Sequence, residues 1–355
     1  MGPDTDQETR DKDRRSKNKK IFIAAQAIGF ISGLALLFFL IYKTGHDDIL
    51  GSIARVGWGF LAVVGLNLSR HLLRALSLYI AVGPEHRTFH YSNVVAARFG
   101  GEAINFFSFT GPFLGDAAKA VMLRSKLPMT HGASAIIIDN ILYYLTVIIM
   151  VLVGVATLVI GYGSHSQVMS NVLIAIVAVG AILFLGPLIA IQRRIKPMSF
   201  VIRTLARRSL VPRFLLKRLH NIHEVETNVF EFYHHRPADF FIVFGISVFV
   251  HVVSVTEVYL VMNLLEYDAR VSTAFVIESL TKVINAVFGF IPGTIGVYEG
   301  GNGLILKALG YTAAMGITLA IVRRGAILIT TFIGLLVLLW KSTGTIARRR
   351  KQTPA

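Results

Sequence analysis

Apolar residues fill six long runs of this chain, at about residues 21–42, 58–82, 131–160, 168–191, 239–263 and 313–340. Each exceeds the roughly 20 residues a helix needs to cross a hydrocarbon core, so each predicts a transmembrane helix. Two further apolar segments, about 93–127 and 271–312, are interrupted by glycine and proline, the second by GFIPGTIGVYEGGNG over residues 289–303. Irregular backbone at membrane depth survives only where protein or a water-lined cavity satisfies it, because each orphan N–H or C=O costs several kcal/mol in lipid. These segments therefore predict re-entrant hairpins with broken tips. A soluble phosphate loop would need a Gly-Lys-Ser/Thr ending, which is absent, and a flexible external loop conflicts with the apolar flanks at 275–291 and 304–309.

Charge orients these elements. Basic residues concentrate before Ile21, between Gln192 and Pro237, and after Trp340, and the positive-inside rule places all three segments in the cytoplasm. Six spans with both termini inside satisfy that rule only if each glycine-rich segment returns to the side it entered. The first run has no small-residue cleavage site after Phe38 to Tyr42, so it predicts an uncleaved helix. The expected fold is an all-α integral membrane protein of about six transmembrane helices plus two re-entrant helical hairpins arranged as inverted repeats. Its parts are a basic tail (1–20), a first repeat (21–191) with a hairpin near 93–127, a cytoplasmic amphipathic linker (192–238), a second repeat (239–340) with a hairpin near 271–312, and a basic tail (341–355).

Composition agrees and narrows the chemistry. Hydrophobic residues make up 54% of the 355 residues and charged residues 16%, and the mean hydropathy is +0.62, far from a soluble domain. The +16 net charge follows topology and does not suggest nucleic acid. Without cysteine there are no disulfides, thiolate metal ligands or cysteine nucleophiles.

The two hairpins share a pattern. Ile104-Asn105 precedes Pro112 by the spacing with which Ile284-Asn285 precedes Pro292, and glycines and an acid follow each proline: Gly115 and Asp116, then Gly293, Gly296 and Glu299. Each hairpin leads into a span with charge about ten residues inside, Asp139 in one and Arg323-Arg324 in the other. Inverted repeats of this kind place a substrate site near the midplane, where broken-helix N-termini meet.

Many ionisable residues fall inside apolar segments: Arg70, Arg74, Arg98, Glu102, Asp116, Lys119, Asp139, Glu257, Glu278, Lys282, Glu299, Arg323 and Arg324. At about 3 kcal/mol per charge at a helix centre, they cannot face lipid. Asp116 with Lys119 and Glu278 with Lys282 have helical pair spacing. Arg70 and Arg74 share a face with no acid beside them and call for an acid on another helix or a ligand phosphate. Adjacent Arg323 and Arg324 point about 100° apart, so one is expected at a cavity and the other against a structural acid. Glu299 fits a cap in the first turn of a half-helix starting near Val297, or a proton, cation or arginine partner. The positions of Asp139 and Arg323 in their spans suggest that Arg323 alternates between Asp139 or Glu299 and a lipid phosphate.

Gly101-Glu102, Gly111-Pro112, Gly115-Asp116 and Lys119, then Pro292 through Glu299 followed by a span with Arg323, resemble the transmembrane domain of lysylphosphatidylglycerol synthases and flippases, the multiple peptide resistance factor family. Glu299-Gly-Gly301 with Arg323-Arg324 is most similar to its stand-alone, hopanoid-associated branch. The resemblance covers about residues 60–340. It implies a bacterial cytoplasmic-membrane protein that translocates lipids, with Glu102, Asp116, Pro292, Glu299 and Arg323 as motif positions. Two departures alter the charge pattern: Ile138-Asp139-Asn140 replaces the family's Glu-Arg pair, and Tyr298 replaces the arginine before the hairpin glutamate. Because the sequence ends at Ala355 without a soluble aminoacyl-transferase domain, synthase activity is not expected.

The expected activity is translocation of a polar-headgroup or hopanoid-type lipid. The proposed substrate-binding residues are Arg70, Arg74, Glu102, Asp116, Lys119, Asp139, Glu278, Glu299, Arg323 and Arg324, with Pro112, Gly115, Pro292, Gly293 and Gly296 as hairpin turns. No cofactor or metal is expected. The partner is a membrane lipid, whether anionic phospholipid, aminoacyl-phospholipid or hopanoid; self-association and contact with lipid-biosynthesis enzymes are further options. Competing readings are an intramembrane transferase using Glu102 or Asp116, and a noncatalytic subunit of a lipid-synthesis complex. His220 and His223 lack metalloprotease spacing and read as solvated. Leu215, Leu219, Ile222, Val225, Val229 and Phe232 give the linker an apolar helical stripe, lying along the interface or packed under the bundle.

Overall fold

The computed structural model describes residues 51, 54–108, 113–162, scattered positions between 171 and 204, and 219–352. The expected first tail and first span, most of the span at 168–191, most of the linker before Leu219, and the tip residue Pro112 lie outside the described residues. The main helices are α1 (Gly59–Ala81), α2 (Tyr91–Phe106), α3 (Phe113–Leu123), α4 (Met129–Tyr162), α5 (Leu219–His235), α6 (Pro237–Leu264), α7 (Val271–Val287), α8 (Val297–Ala308) and α9 (Ala313–Gln352). No strand occurs among the described residues.

Met129–Ile160, Pro237–Leu264 and Ala313–Trp340 are long and apolar enough to cross a membrane, which makes this a multi-pass membrane protein. These bounds lie close to the apolar runs, since a helix in lipid ends where its side chains turn polar. One end differs: α9 continues past its span through Arg348 to Arg350 and stops at Gln352.

Side chains tie the helix ends together. Arg87 and Arg236 each donate to the Ile80 carbonyl near the end of α1, at 2.7 and 2.8 Å, reinforcing an oxygen that otherwise accepts a 3.3 Å bond from the Gly83 N–H. Arg236 also pairs with Asp239 in the first turn of α6, where Pro237 starts the helix. The end of α1 is thereby joined to the start of α6.

Helices α2 and α3 form one antiparallel pair, and α7 and α8 another. The ends of the first pair meet where the His86 and His131 rings lie 4.1 Å apart. Those of the second meet where the Tyr311 hydroxyl donates to the Asp268 carbonyl at 2.5 Å. These meeting points sit at opposite ends of α6, whose 28 residues extend about 42 Å at ~1.5 Å per residue.

Packing exchanges elements between the halves. Helix α1 lies on α6, α2 lies on α9, and α7 lies on α4. The last two contacts correspond residue for residue at a separation of 180: Gly154 of α4 crosses Ser279 of α7, and Gly334 of α9 crosses Phe99 of α2. A Cβ added at Gly154 would lie 2.4 Å from the Ser279 Cβ, and one at Gly334 would lie 2.2 Å from the Phe99 carbonyl oxygen.

Two apolar clusters hold the ends of the bundle. Val63, Val151, Val261, Ile277, Leu306 and Leu319 belong to one, and Leu78, Val94, Leu123, Leu142, Phe232 and Val243 to the other. Of the two placements open to the linker stripe, α5 takes the packed one: Val229 and Phe232 are buried against the second cluster. The polar layer lies between the clusters.

Candidate functional site

The charged layer contains two clusters joined through α1. In the first, Asp139 of α4 lies between Arg74 of α1, at 2.9 Å, and Arg98 of α2, at 3.9 Å. The Ser77 hydroxyl donates to Asp139 at 2.5 Å, and the Arg74 guanidinium covers the Tyr143 ring at 3.9 Å. Glu102 forms an ion pair with Arg98 at 3.2 Å and accepts from Lys119 at 3.0 Å, while Lys119 also reaches Asp116 at 2.9 Å. Lys119 is 2% exposed, so its ammonium depends on those two carboxylates in place of water.

The second cluster repeats the arrangement with the charges reversed. Arg323 of α9 lies between Glu257 of α6, at 3.0 Å, and Glu278 of α7, at 2.8 Å. Glu278 pairs with Lys282 one turn on, at 2.9 Å. The residue pairs Arg98–Glu102 and Glu278–Lys282 are again separated by 180. Arg324 binds Glu299, and its Nη1 donates to the Gly293 carbonyl at 2.6 Å. Glu299 also accepts from the Gly296 N–H at 2.8 Å, closing the first turn of α8 as a cap. Arg70 joins the clusters: it reaches Glu257 at 3.4 Å and donates to the Ser254 hydroxyl at 3.0 Å.

The backbone positions these groups. Pro292–Thr294 form a single 3-10 turn, and Gly293 (φ 56°) and Gly296 (φ 79°) take the left-handed conformations that turn the chain into α8. Gly115 was expected at a turn but belongs to the first turn of α3. Its N–H donates to the Asn105 side-chain oxygen at 2.8 Å, and its missing Cβ allows α2 and α3 to touch.

Two cavities open on this layer. One, of about 230 Å³, is lined by Arg70, Arg74, Arg98, Glu102, Asp116 and Lys119, with His71, Asn105, Asn140, Tyr143, Tyr144 and Ser254 among its other walls. The second, of about 340 Å³, lies between the helical pairs and is lined by Arg324, Tyr298, Asn285, Gly293, Phe106 and Thr330. His71, Glu102 and Asn105 line both. Asn105 and Asn285, matched in the sequence, thus share one cavity wall.

Five of the ten expected binding residues, Arg70, Arg74, Glu102, Asp116 and Lys119, surround the first cavity, and Arg324 lines the second. Asp139, Glu278, Glu299 and Arg323 line neither. The neighbouring arginines divide as their angular separation requires, with Arg324 at a cavity and Arg323 against structural acids. The expected partners of Arg323 are replaced: it meets Glu257 and Glu278, while Asp139 belongs to Arg74 and Glu299 to Arg324. In the 180-residue correspondence Arg323 matches Tyr143, one helical turn beyond Asp139. Arg98 was identifiable from its i,i+4 spacing to Glu102; His71, Asn140, Tyr143 and Ser254 gave no such signal.

A helical, multi-pass membrane protein whose charges are paired inside it, around cavities between two broken helical pairs, is the class these features define. A family model described as the lysylphosphatidylglycerol synthase TM region matches residues 23–334. The chain belongs to that family. The match is to the family as a whole and does not extend to a hopanoid-associated branch. No curated protein and no solved structure matches the chain.

Proposed function

We propose that this protein is a lipid translocase in which the headgroup passes through the two joined cavities while the apolar part of the lipid stays in the bilayer. The observation that carries this reading is a pair of adjoining cavities, of about 230 and 340 Å³, that share His71, Glu102 and Asn105 inside a membrane-spanning bundle. The barrier to lipid exchange between leaflets is dehydration of the headgroup in hydrocarbon, and a passage lined by Arg70, Arg74, Lys119, Glu102, Asp116 and Arg324 lowers it. Family membership supports a lipid as the substrate.

The alternation of access rests on an inverted repeat of α1 to α4 and α6 to α9. Supporting it are the opposite placement of the two helical-pair ends, the 180-residue correspondence and the reversed charge clusters. In this reading α2–α3 and α7–α8 are re-entrant hairpins entering from opposite faces, with the basic segments in the cytoplasm of a bacterial cell. Purified protein in liposomes should move fluorescent phospholipid between leaflets faster than empty liposomes do. Rates no faster than those of empty liposomes, for every headgroup tried, would sink the translocase reading.

A further inference from the structure

The interior charges do not balance, and the imbalance is local. The second half closes: Lys282, Arg323 and Arg324 meet Glu257, Glu278 and Glu299, three cations for three carboxylates. Among the described residues of the polar layer in the first half, Arg70, Arg74, Arg98 and Lys119 stand against Glu102, Asp116 and Asp139, four cations for three carboxylates. The apolar runs 21–42 and 168–191 and the tip 109–112 contain no charged residue, so they bring no fourth acid. An unmatched positive charge inside a membrane protein needs an anion, supplied by protein or by ligand.

The unmatched group is Arg70. Among the described residues its ion-pair partner is Glu257, at 3.4 Å, which already serves Arg323 at 3.0 Å, and the Glu257 oxygen facing Arg70 makes no hydrogen bond. The Nε groups of Arg70, Arg74 and Arg98 are all buried without a hydrogen-bond partner. Arg74 is 4% and Arg98 8% exposed, and all three line the 230 Å³ cavity. Three guanidinium groups with spare donors match the oxygens of a phosphate group.

We infer that this cavity is the seat of one phosphodiester monoanion, and that the protein selects lipid headgroups of net charge −1 over zwitterionic and cationic ones. This rests on the translocase reading for the lipid source of the phosphate. A single negative charge neutralises the first half; an added ammonium on the headgroup would restore the surplus beside Arg70.

Two measurements separate the inference from its foundation. In liposomes, labelled phosphatidylglycerol should cross at least tenfold faster than phosphatidylcholine or aminoacylated phosphatidylglycerol. Arg70→Gln should reduce that ratio towards one, and Glu102→Gln, which increases the surplus, should raise it. In detergent, dihexanoyl phosphatidylglycerol should raise the melting temperature, and dihexanoyl phosphatidylcholine should not. Stabilisation by phosphatidylglycerol without translocation of any lipid upholds the seat and removes the translocase reading. Equal translocation of the three headgroups together with equal stabilisation by both short-chain lipids overturns the seat alone. If free glycerophosphoglycerol stabilises as strongly as the short-chain lipid, the ligand is a soluble phosphodiester, and selection of a lipid is overturned.

Discussion

Arg323 is held between Glu257 and Glu278 at 3.0 and 2.8 Å and is 3% exposed, so its primary effect is on folding. Removing it leaves two buried carboxylates competing for Lys282 and Arg70, and breaking a buried pair costs roughly 3 to 5 kcal/mol. Arg323→Ala should therefore collapse the monodisperse yield in size-exclusion chromatography. Adding Glu257→Gln should restore part of it, whereas adding Asp139→Asn should restore none. A distinct outcome belongs to Tyr143, whose ring faces Arg74 at 3.9 Å while its hydroxyl accepts from Lys282 at 3.4 Å. Tyr143→Phe removes only the weak hydrogen bond, about 1 kcal/mol at most. Tyr143→Leu also removes the cation–π contact, worth up to about 2 kcal/mol when desolvated. Melting temperatures should fall in the order wild type, Phe, Leu; a Leu variant as stable as the Phe variant would remove the energetic role assigned to the ring. At this scale the sequence disclosed which side chains need partners, and the pairs within one helix could be read from spacing. Partners on other helices could not, because nothing in the order of residues records which faces of two distant helices touch.

At the scale of elements, helix crossings depend on absent side chains. Gly334 meets the Phe99 carbonyl, which is backbone and cannot move aside as a side chain would. Overpacking of this kind typically costs about 1 to 3 kcal/mol. Gly245 of α6 has nothing within 4 Å of a built Cβ, and alanine there should be neutral or favourable by up to about 1 kcal/mol from helix propensity. Gly334→Ala should thus lower the thermal midpoint while Gly245→Ala holds or raises it. Equal midpoints would mean that α2 and α9 do not cross as described. The long spans were readable because lipid requires continuous apolar sequence. Helix α1 was also readable despite two interior arginines. The break before α8 was visible as a run of glycines, but the specific turn was not, since any of six glycines could have taken the left-handed conformation.

For the whole molecule, the proposed inverted repeat makes a geometric prediction, and the absence of native cysteine makes it accessible to labelling. Thr88 and Asp268 are exposed beside the meeting ends of the two helical pairs. Single cysteines at these positions should react with an impermeant maleimide from opposite faces of a sealed membrane, Thr88→Cys from the cytoplasmic face. Reaction of both from one face would end the inverted-repeat proposal, whatever the transport assays show.

Sequence by itself determined the solvent of this protein, most of its long helices and the list of charges that had to be sheltered, because each follows from local transfer of side chains and backbone out of water. It also displayed the matched Ile-Asn and proline spacing of the two broken segments. Tertiary structure decided who neutralises whom: Arg323 with Glu257 and Glu278, Arg74 with Asp139, Arg324 with Glu299. The physical reason is that charge pairing inside a bundle depends on which helix faces meet, and that choice is made by the packing of all the helices at once. The same packing left Arg70 beside a carboxylate already engaged, which no reading of the α1 sequence alone could reveal.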